Sequence, residues 1–564
     1  MLLALLFGIT VTRPAGAQPQ PPRPQAAFGE RVEVSVVNVE VYVTDRKGEP
    51  VLGLTREDFL LFEDGEPVPV ANFFAVETGR EAAPAASGAE PAAGEPALAD
   101  AVTAAPASPP PERQTSLVIY VDNVNLQPAS RKRAFRSLRE FLAARLEPGT
   151  PVMVVSYERS LNVPLPFTAE RAPVDGALAA LERAAPHGVE AYAARRNTLA
   201  LIRSTYDEEG CAAIDRMLAF AQAYARPRHH DVRASLSALT QLADSLAGLP
   251  GRKVLLHVSD GIPLVAGQEM FELIDELCPT TAPRKDFDAA QFRADQGLRR
   301  LTTRANADGV TLYTLEAAGL QGLTGASADM PQATLSARMD FNAIANHQDT
   351  LFNMADETGG RALLNSNRLD RGLAKVAADL ANYYSLGFSP RHHGDGREHA
   401  LAVRVRREGV EVRHRKTYRD KPATERAEDR LHAALILGQE ENPLGASLEA
   451  AAAAPAGSDG QLVPVRLRVP FPNLVLLPAE TGSRAQLRLL LVARDERGGI
   501  SPVRRLEVPI LVPQADLERA LARDFVYEIK LQLRPGGHRL ALAVEDTAAA
   551  TTSYLALDFQ VPGG

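Results

Sequence analysis

Two apolar runs that each end on an aspartate constrain this chain more than anything else in it. Ser116-Leu-Val-Ile-Tyr-Val-Asp122-Asn-Val-Asn125 is echoed by Arg252-Lys-Val-Leu-Leu-His-Val-Ser-Asp260-Gly261. Continuous apolar runs of this length, followed by helix-type sequence, predict buried parallel strands. Open α/β sheets bind ligands beyond the carboxyl ends of their strands. Asp122 and Asp260 are therefore expected at one crevice, and any chemistry is expected there.

The surrounding pattern supports an α/β domain over 115–420. Ala134, Phe135, Leu138, Phe141 and Leu142 share one face of a helix after the first strand. Pro151-Val-Met-Val-Val-Ser-Tyr reads as the next strand and Leu161–Phe167 as an antiparallel edge strand. Further helices are expected at Val232–Leu246, Phe292–Ala307, Thr350–Thr358 and Leu369–Tyr383, with strands at Val310–Leu315 and Arg361–Leu364. Such alternation predicts a doubly wound, mostly parallel sheet covered on both faces. Residues 169–230 exceed one crossover and read as a helical insertion. Ala400–Arg406 and Val410–Arg415 are expected to close the domain as a hairpin.

The flanks differ. Residues 1–17 read as an export signal, an apolar run before Ala15-Gly16-Ala17, and 18–30 as a proline-rich spacer. Residues 31–78 alternate as a small β domain, with turns at Asp45–Gly48 and around Gly65 and a capped segment from Leu54 to Phe59. The alanine- and proline-rich stretch 79–114 is expected to be a disordered linker. Beyond it all, a helical, alanine-rich connector spans 421–460, and 461–564 alternates cleanly between glycine turns, as a β-sandwich does.

The ordered set Val43-Thr-Asp-Arg-Lys-Gly, Phe62-Glu-Asp-Gly, the Asp122 strand, Gly251–Gly261, Glu357-Thr-Gly-Gly-Arg-Ala and Tyr383-Tyr-Ser-Leu-Gly-Phe resembles the von Willebrand factor A-related proteins exported by bacteria, of acidobacterial type. The resemblance covers roughly 32–420. It implies a protein-binding role rather than catalysis, and a metal-ion-dependent adhesion site with an Asp-x-Ser-x-Ser loop, a threonine and a second aspartate. Such an all-oxygen set suits Mg²⁺. Asp122 and Asp260 match its two aspartates, but Val124 and Leu126 stand at the serine positions. Asn123 and Asn125 are displaced by one residue and would need a loop rearrangement to reach in; Asn125 is carried as a candidate ligand with the two aspartates, and Thr198 is the one threonine to offer. The resemblance thus implies a degenerate site, with no cofactor or a weakly bound divalent cation.

Other constellations exclude more than they suggest. A net charge of −8 and the absence of tryptophan argue against nucleic acid and sugar-stacking platforms. No apolar run reaches the roughly 18–20 residues of a membrane span. Cys211 and Cys278 can form a disulfide closing a loop of about 70 residues, or remain buried thiols. His229-His230-Asp231 and His392-His393 read as solvated loops, because adjacent side chains rarely converge on one ion. Gly394-Asp-Gly lacks the phosphate-loop pattern, no elbow or His-Glu-x-x-His motif occurs, and Ser259 has no histidine base placed beside it. The basic run 131–139 reads as a solvated helix face. The resulting expectation is a secreted or periplasmic, non-enzymatic binding or scaffold protein with a protein ligand at the cell envelope or outside. The alternatives are a metal-dependent envelope hydrolase using Asp122 and Asp260, or a structural spacer.

Overall fold

The computed structural model describes residues 36–77, 80–81, 114–184, 188–279, 289–320, 336–392, 394–455 and 460–562. The leader, the proline-rich spacer, almost all of the 79–114 linker and His393 lie outside them.

The central sheet has six strands in the order Ala362–Leu363, Val310–Glu316, Arg252–Ser259, Thr115–Asp122, Val152–Tyr157 and Leu161–Thr168. The first five are parallel and the last is antiparallel. Every residue of the strands at 152, 252 and 310 is buried. Burial on both sides is why these sequences run apolar instead of alternating. On one face Leu117, Ile119 and Val121 pack against Phe135 and Leu138 of helix Pro128–Ala144, Leu178 of Arg171–Arg183 and Leu373 of Leu369–Ala381. On the other, Val118 and Tyr120 meet Leu236 and Leu239 of Ile214–Leu246, Leu301 of Asp295–Ala307 and Met354 of Ala337–Glu357.

The insertion is shorter than 169–230. Helix Arg171–Arg183 is part of the sheet's covering layer, so the extra structure begins with helix Gly188–Glu209. It has no boundary at 230 either, because helix Ile214–Leu246 runs from the insertion straight into the crossover. Leu199, Ile202, Met217 and Ala221 form its own core with Met270, Phe271 and Ile274 of helix Gln268–Leu277. Cys211 and Cys278 are joined as a disulfide beside this core, their Cα atoms 5.8 Å apart.

The small β domain expected at 31–78 is instead a composite of two distant segments. Strand Val37–Asp45 pairs along its first half with Tyr383–Phe388 and along its second with Val410–Arg413. Asn72–Glu77 takes the far side of Tyr383–Phe388. Phe59–Glu63 pairs with Glu398–Val405 on one side and turns back into Glu66–Val68 on the other. Asp64 and Gly65, both at positive φ, form that two-residue turn. The strands at 398 and 410 therefore do not close the α/β domain as a hairpin. Each finds an N-terminal partner, because Val39, Val41, Leu61, Leu386 and Leu401 bury one shared apolar core.

A cationic joint fixes this unit to the base of the central sheet. The buried Arg252 guanidinium lies 5.2 Å over the Tyr42 ring and 4.4 Å over Tyr383, and donates to the Tyr42 hydroxyl at 2.7 Å. Asp379 receives Arg413 at 2.7 Å and Arg361 at 3.4 Å. Gly360 sits where a Cβ would fall 1.9 Å from the Leu312 carbonyl, so only glycine lets these chains pass.

Past Arg419, helix Ala423–Leu437 lies on strands Gly482–Asp495 and Gly536–Asp546 through Leu431, Ala434 and Leu435. Two antiparallel sheets follow, one holding Gln461–Pro470 and Asp524–Leu533, the other Gly482–Asp495, Arg504–Pro513, Gly536–Asp546 and Thr551–Val561. Their inward residues, among them Val465, Leu467, Leu487, Leu489, Leu540 and Leu542, share one core. Among the described residues no helix is long and apolar enough to cross a membrane.

Candidate functional site

The strands carrying Asp122 and Asp260 are neighbours, so both residues lie at the carboxyl rim of the sheet. Asp122 is completely buried. Its oxygens accept the Asn125 amide N–H at 3.2 Å, the Asn125 side-chain Nδ2 at 2.8 Å and the Ser259 hydroxyl at 3.2 Å. His257 Nε2 lies 3.7 Å away and its ring is 5.4 Å from that of Tyr120. Burial first, and then the nearby Asp122 charge, hold the Tyr120 phenol well above its ordinary range. Asp122 thus acts as an anchor that folds the loop 122–125 back on itself.

Asp260 is placed differently. Its Oδ2 accepts the Gln127 amide N–H at 2.8 Å, while Oδ1 is buried with no hydrogen-bond partner. Burial raises its carboxyl to about 7, against the opposing pull of Gln127 and Ser130. Gly261 follows at φ +108, and a Cβ there would come within 2.8 Å of His347 Cβ. The glycine is what lets helix Ala337–Glu357 approach the rim so closely. Burial lowers the His347 imidazole, which favours its neutral form.

The insertion roofs this rim. A cleft of about 410 Å³ lies between Asn125, Gln127, Asp260 and His347 below and Tyr192, Arg195 and Arg228 above. Arg195 is paired with the buried Glu269 at 3.0 Å. Arg228 lies 3.4 Å from Asn125 Oδ1 and from Asp231 Oδ2. A second cleft of about 490 Å³ shares Val124, Ala191 and Arg228 with the first and is lined by Ala223 and Pro227. Pro227 has no N–H to return to the Ala223 carbonyl, so the helix gives up one internal bond beside Arg228.

The residues do not fit an all-oxygen cation site. Octahedral Mg²⁺ needs about six oxygens near 2.1 Å. Val124 is buried in one core and the fully buried Leu126 in the other, so neither position faces the rim with a polar group. Asn125 gives its amide to Asp122 and turns its carbonyl oxygen to a guanidinium. Thr198 is not brought to Asp260: its hydroxyl donates to Ala194 of its own helix at 2.9 Å, and it lines the second cleft. The structure therefore unites Asp122, Asn125 and Asp260 at one rim and leaves Thr198 out. Sequence reasoning missed Arg195, Arg228, Glu269 and His347, since nothing in the local pattern of a helical insertion reports what it covers.

No family model matches the chain, and no curated protein matches it. Among solved structures, a von Willebrand factor type A structure from Catenulispora acidiphila is 12% identical over 80% of this chain and 66% of that one, with a TM-score of 0.22. BatB from Bacteroides thetaiotaomicron is 13% identical over 47% of this chain and 98% of that one, with a TM-score of 0.24. An aerotolerance-related membrane protein from Bacteroides fragilis is 11% identical over the same shares, also at 0.24. At these scores the likenesses carry no argument about this chain.

Proposed function

We propose that the chain is an exported, non-catalytic binding protein of the von Willebrand factor A type, whose rim recognises a protein partner without a metal. The carrying observation is the cleft itself: a guanidinium, Arg228, stands beside Asn125 where the family places a cation. A partner carboxylate that would complete a metal's coordination in that family here meets Arg228. The strand order, with helices on both faces, supports a doubly wound reading. The two C-terminal sheets around one core support a β-sandwich that holds the rim away from its attachment. The Cys211–Cys278 disulfide supports an oxidising compartment such as the periplasm or the exterior.

The test is site-specific photocrosslinking in cell-envelope extract containing EDTA. A photoreactive residue at Tyr192, on the cleft wall, is expected to capture a discrete protein, and the same probe at Leu511, exposed on the C-terminal sheets, is not. Arg228→Glu should abolish the Tyr192 adduct. Equal capture at both positions, or an adduct that needs added Mg²⁺, would overturn the reading.

A further inference from the structure

We propose that Glu63, His392 and His399 form a binding site for a divalent transition-metal ion of the zinc class, on the composite β unit and separate from the rim. One ligand atom from each of the three lies within 4.8 Å of the other two. Strand pairing assembles them. Phe59–Glu63 runs antiparallel to Glu398–Val405 with Glu63 opposite Leu401, which sets a carboxylate beside two imidazoles more than 300 positions along the chain.

Glu63 is held in a way that leaves one oxygen to give, and His399 in a way that fixes its ring. Glu63 is 3% exposed, and the Tyr418 hydroxyl donates to its Oε1. Its Oε2 remains, 4.0 Å from His392 Nε2. His399 is 6% exposed, and its Nδ1 lies 2.8 Å from Asp64 Oδ2. Asp64 is itself fixed, because its other oxygen accepts the Ala400 amide N–H at 2.8 Å. A carboxylate that holds one ring nitrogen's proton turns the other nitrogen's lone pair outward, the usual support of a metal-bound histidine. That other nitrogen, Nε2, is met by Asp395 Oδ1 at 3.2 Å, a contact that the ion would replace.

The spacing suits a small tetrahedral centre. Ligand atoms about 2.0–2.1 Å from zinc stand roughly 3.3 Å from one another; here Glu63 and His392 are 4.0 Å apart and the three atoms lie within 4.8 Å, so a small inward shift would close the set. The rings of His392 and His399 are parallel at 7° with centroids 4.1 Å apart, so their lone pairs do not yet converge. His392, 38% exposed, is the ligand free to swing out of the stack. Two imidazoles with one or two carboxylates select zinc-like ions over Mg²⁺ or Ca²⁺, which take oxygen sets.

The full chain, stripped with a chelator, is titrated with Zn²⁺ by calorimetry and with Co²⁺ by its visible ligand-field bands. One equivalent should bind with micromolar or tighter Kd, and Co²⁺ should show the intense bands of a four-coordinate ion. His392→Ala, which alters an exposed loop residue and leaves the fold intact, should weaken binding by about 100-fold or more. Glu63→Gln should do the same, whereas the double variant His229→Ala/His230→Ala should bind as the parent does. The proposal is overturned by an absence of saturable uptake, by His392→Ala binding within twofold of the parent, or by loss of binding in the His229/His230 variant. Any of these would leave His399 as an imidazole clamped by two carboxylates and nothing more.

Discussion

The rim of the central sheet and the edge of the composite β unit make opposite use of the same side chains. At the rim, two aspartates stand where a cation would be held, yet amides and a serine hydroxyl bond to them and a guanidinium faces the neighbouring Asn125. At the β edge, two histidines from a loop and a strand meet a buried glutamate that no local pattern ties to them. Ligand chemistry depends on which atoms remain free after the fold has used the rest. A motif at fixed spacing reports identity alone.

The comparison can be broken most forcefully at Leu126. Leu126→Ser restores one oxygen of the adhesion-site loop, but it puts a hydroxyl into a fully buried apolar position. It should cost about 3–5 kcal/mol in urea denaturation and confer no Mg²⁺ affinity by calorimetry. Mg²⁺ binding with little loss of stability would show that the rim was one side chain short of a metal site.

Asp260 sharpens the contrast through pH. Its folded-state carboxyl, raised to about 7, holds its proton more tightly than in the unfolded chain, where the ordinary value is 3.8. The folded protein therefore binds more protons between about pH 4 and 7, and its stability falls as pH rises through that window. The penalty is complete above about 7 and absent below about 4. Asp260→Asn, which keeps an oxygen for the Gln127 N–H, should be more stable than the parent by about 2–4 kcal/mol at pH 8. That gap should close at pH 4 in matched denaturation curves.

At the β edge the effect comes from the ion. Free Zn²⁺ at about 100 times its Kd should add about 2.7 kcal/mol to the stability of the parent and about 0.4 kcal/mol or less to His392→Ala; a matching rise in the variant would place the ion elsewhere. The smallest effect is expected of Arg228→Gln. Its partly exposed pair with Asp231 contributes at most about 1 kcal/mol, so the melting temperature should barely move while the Tyr192 crosslink disappears.

Much of the architecture was legible because it is local. The Asp122 and Asp260 strands could be read within a residue of their ends, since burial on both faces imposes an unbroken apolar run. The Asp45–Gly48 turn and the segment capped by Thr55 follow from residues a few positions apart. What escaped is non-local. Val37–Asp45 alternates equally well with any partner, and nothing in it points to Tyr383–Phe388. The same blindness hid His392 and His399: the chain between them gives no sign that Glu63 lies across the strand. At the rim, the two aspartates were legible but Arg228 was not, because the insertion's fold back over the sheet is set by its packing on helix Gln268–Leu277.

The composite β unit also sets an order of events in biosynthesis. Leu54 donates its amide to the Tyr384 hydroxyl across a separation of 330 residues. At about 5–20 residues per second, synthesis of the intervening chain takes roughly 17–66 s. Throughout that delay Val37–Asp45 is a finished strand with both edges bare, the hazard that invites pairing between neighbouring nascent chains. The yield of this protein should therefore respond to a holdase that covers this segment until Tyr383–Phe388 has been made.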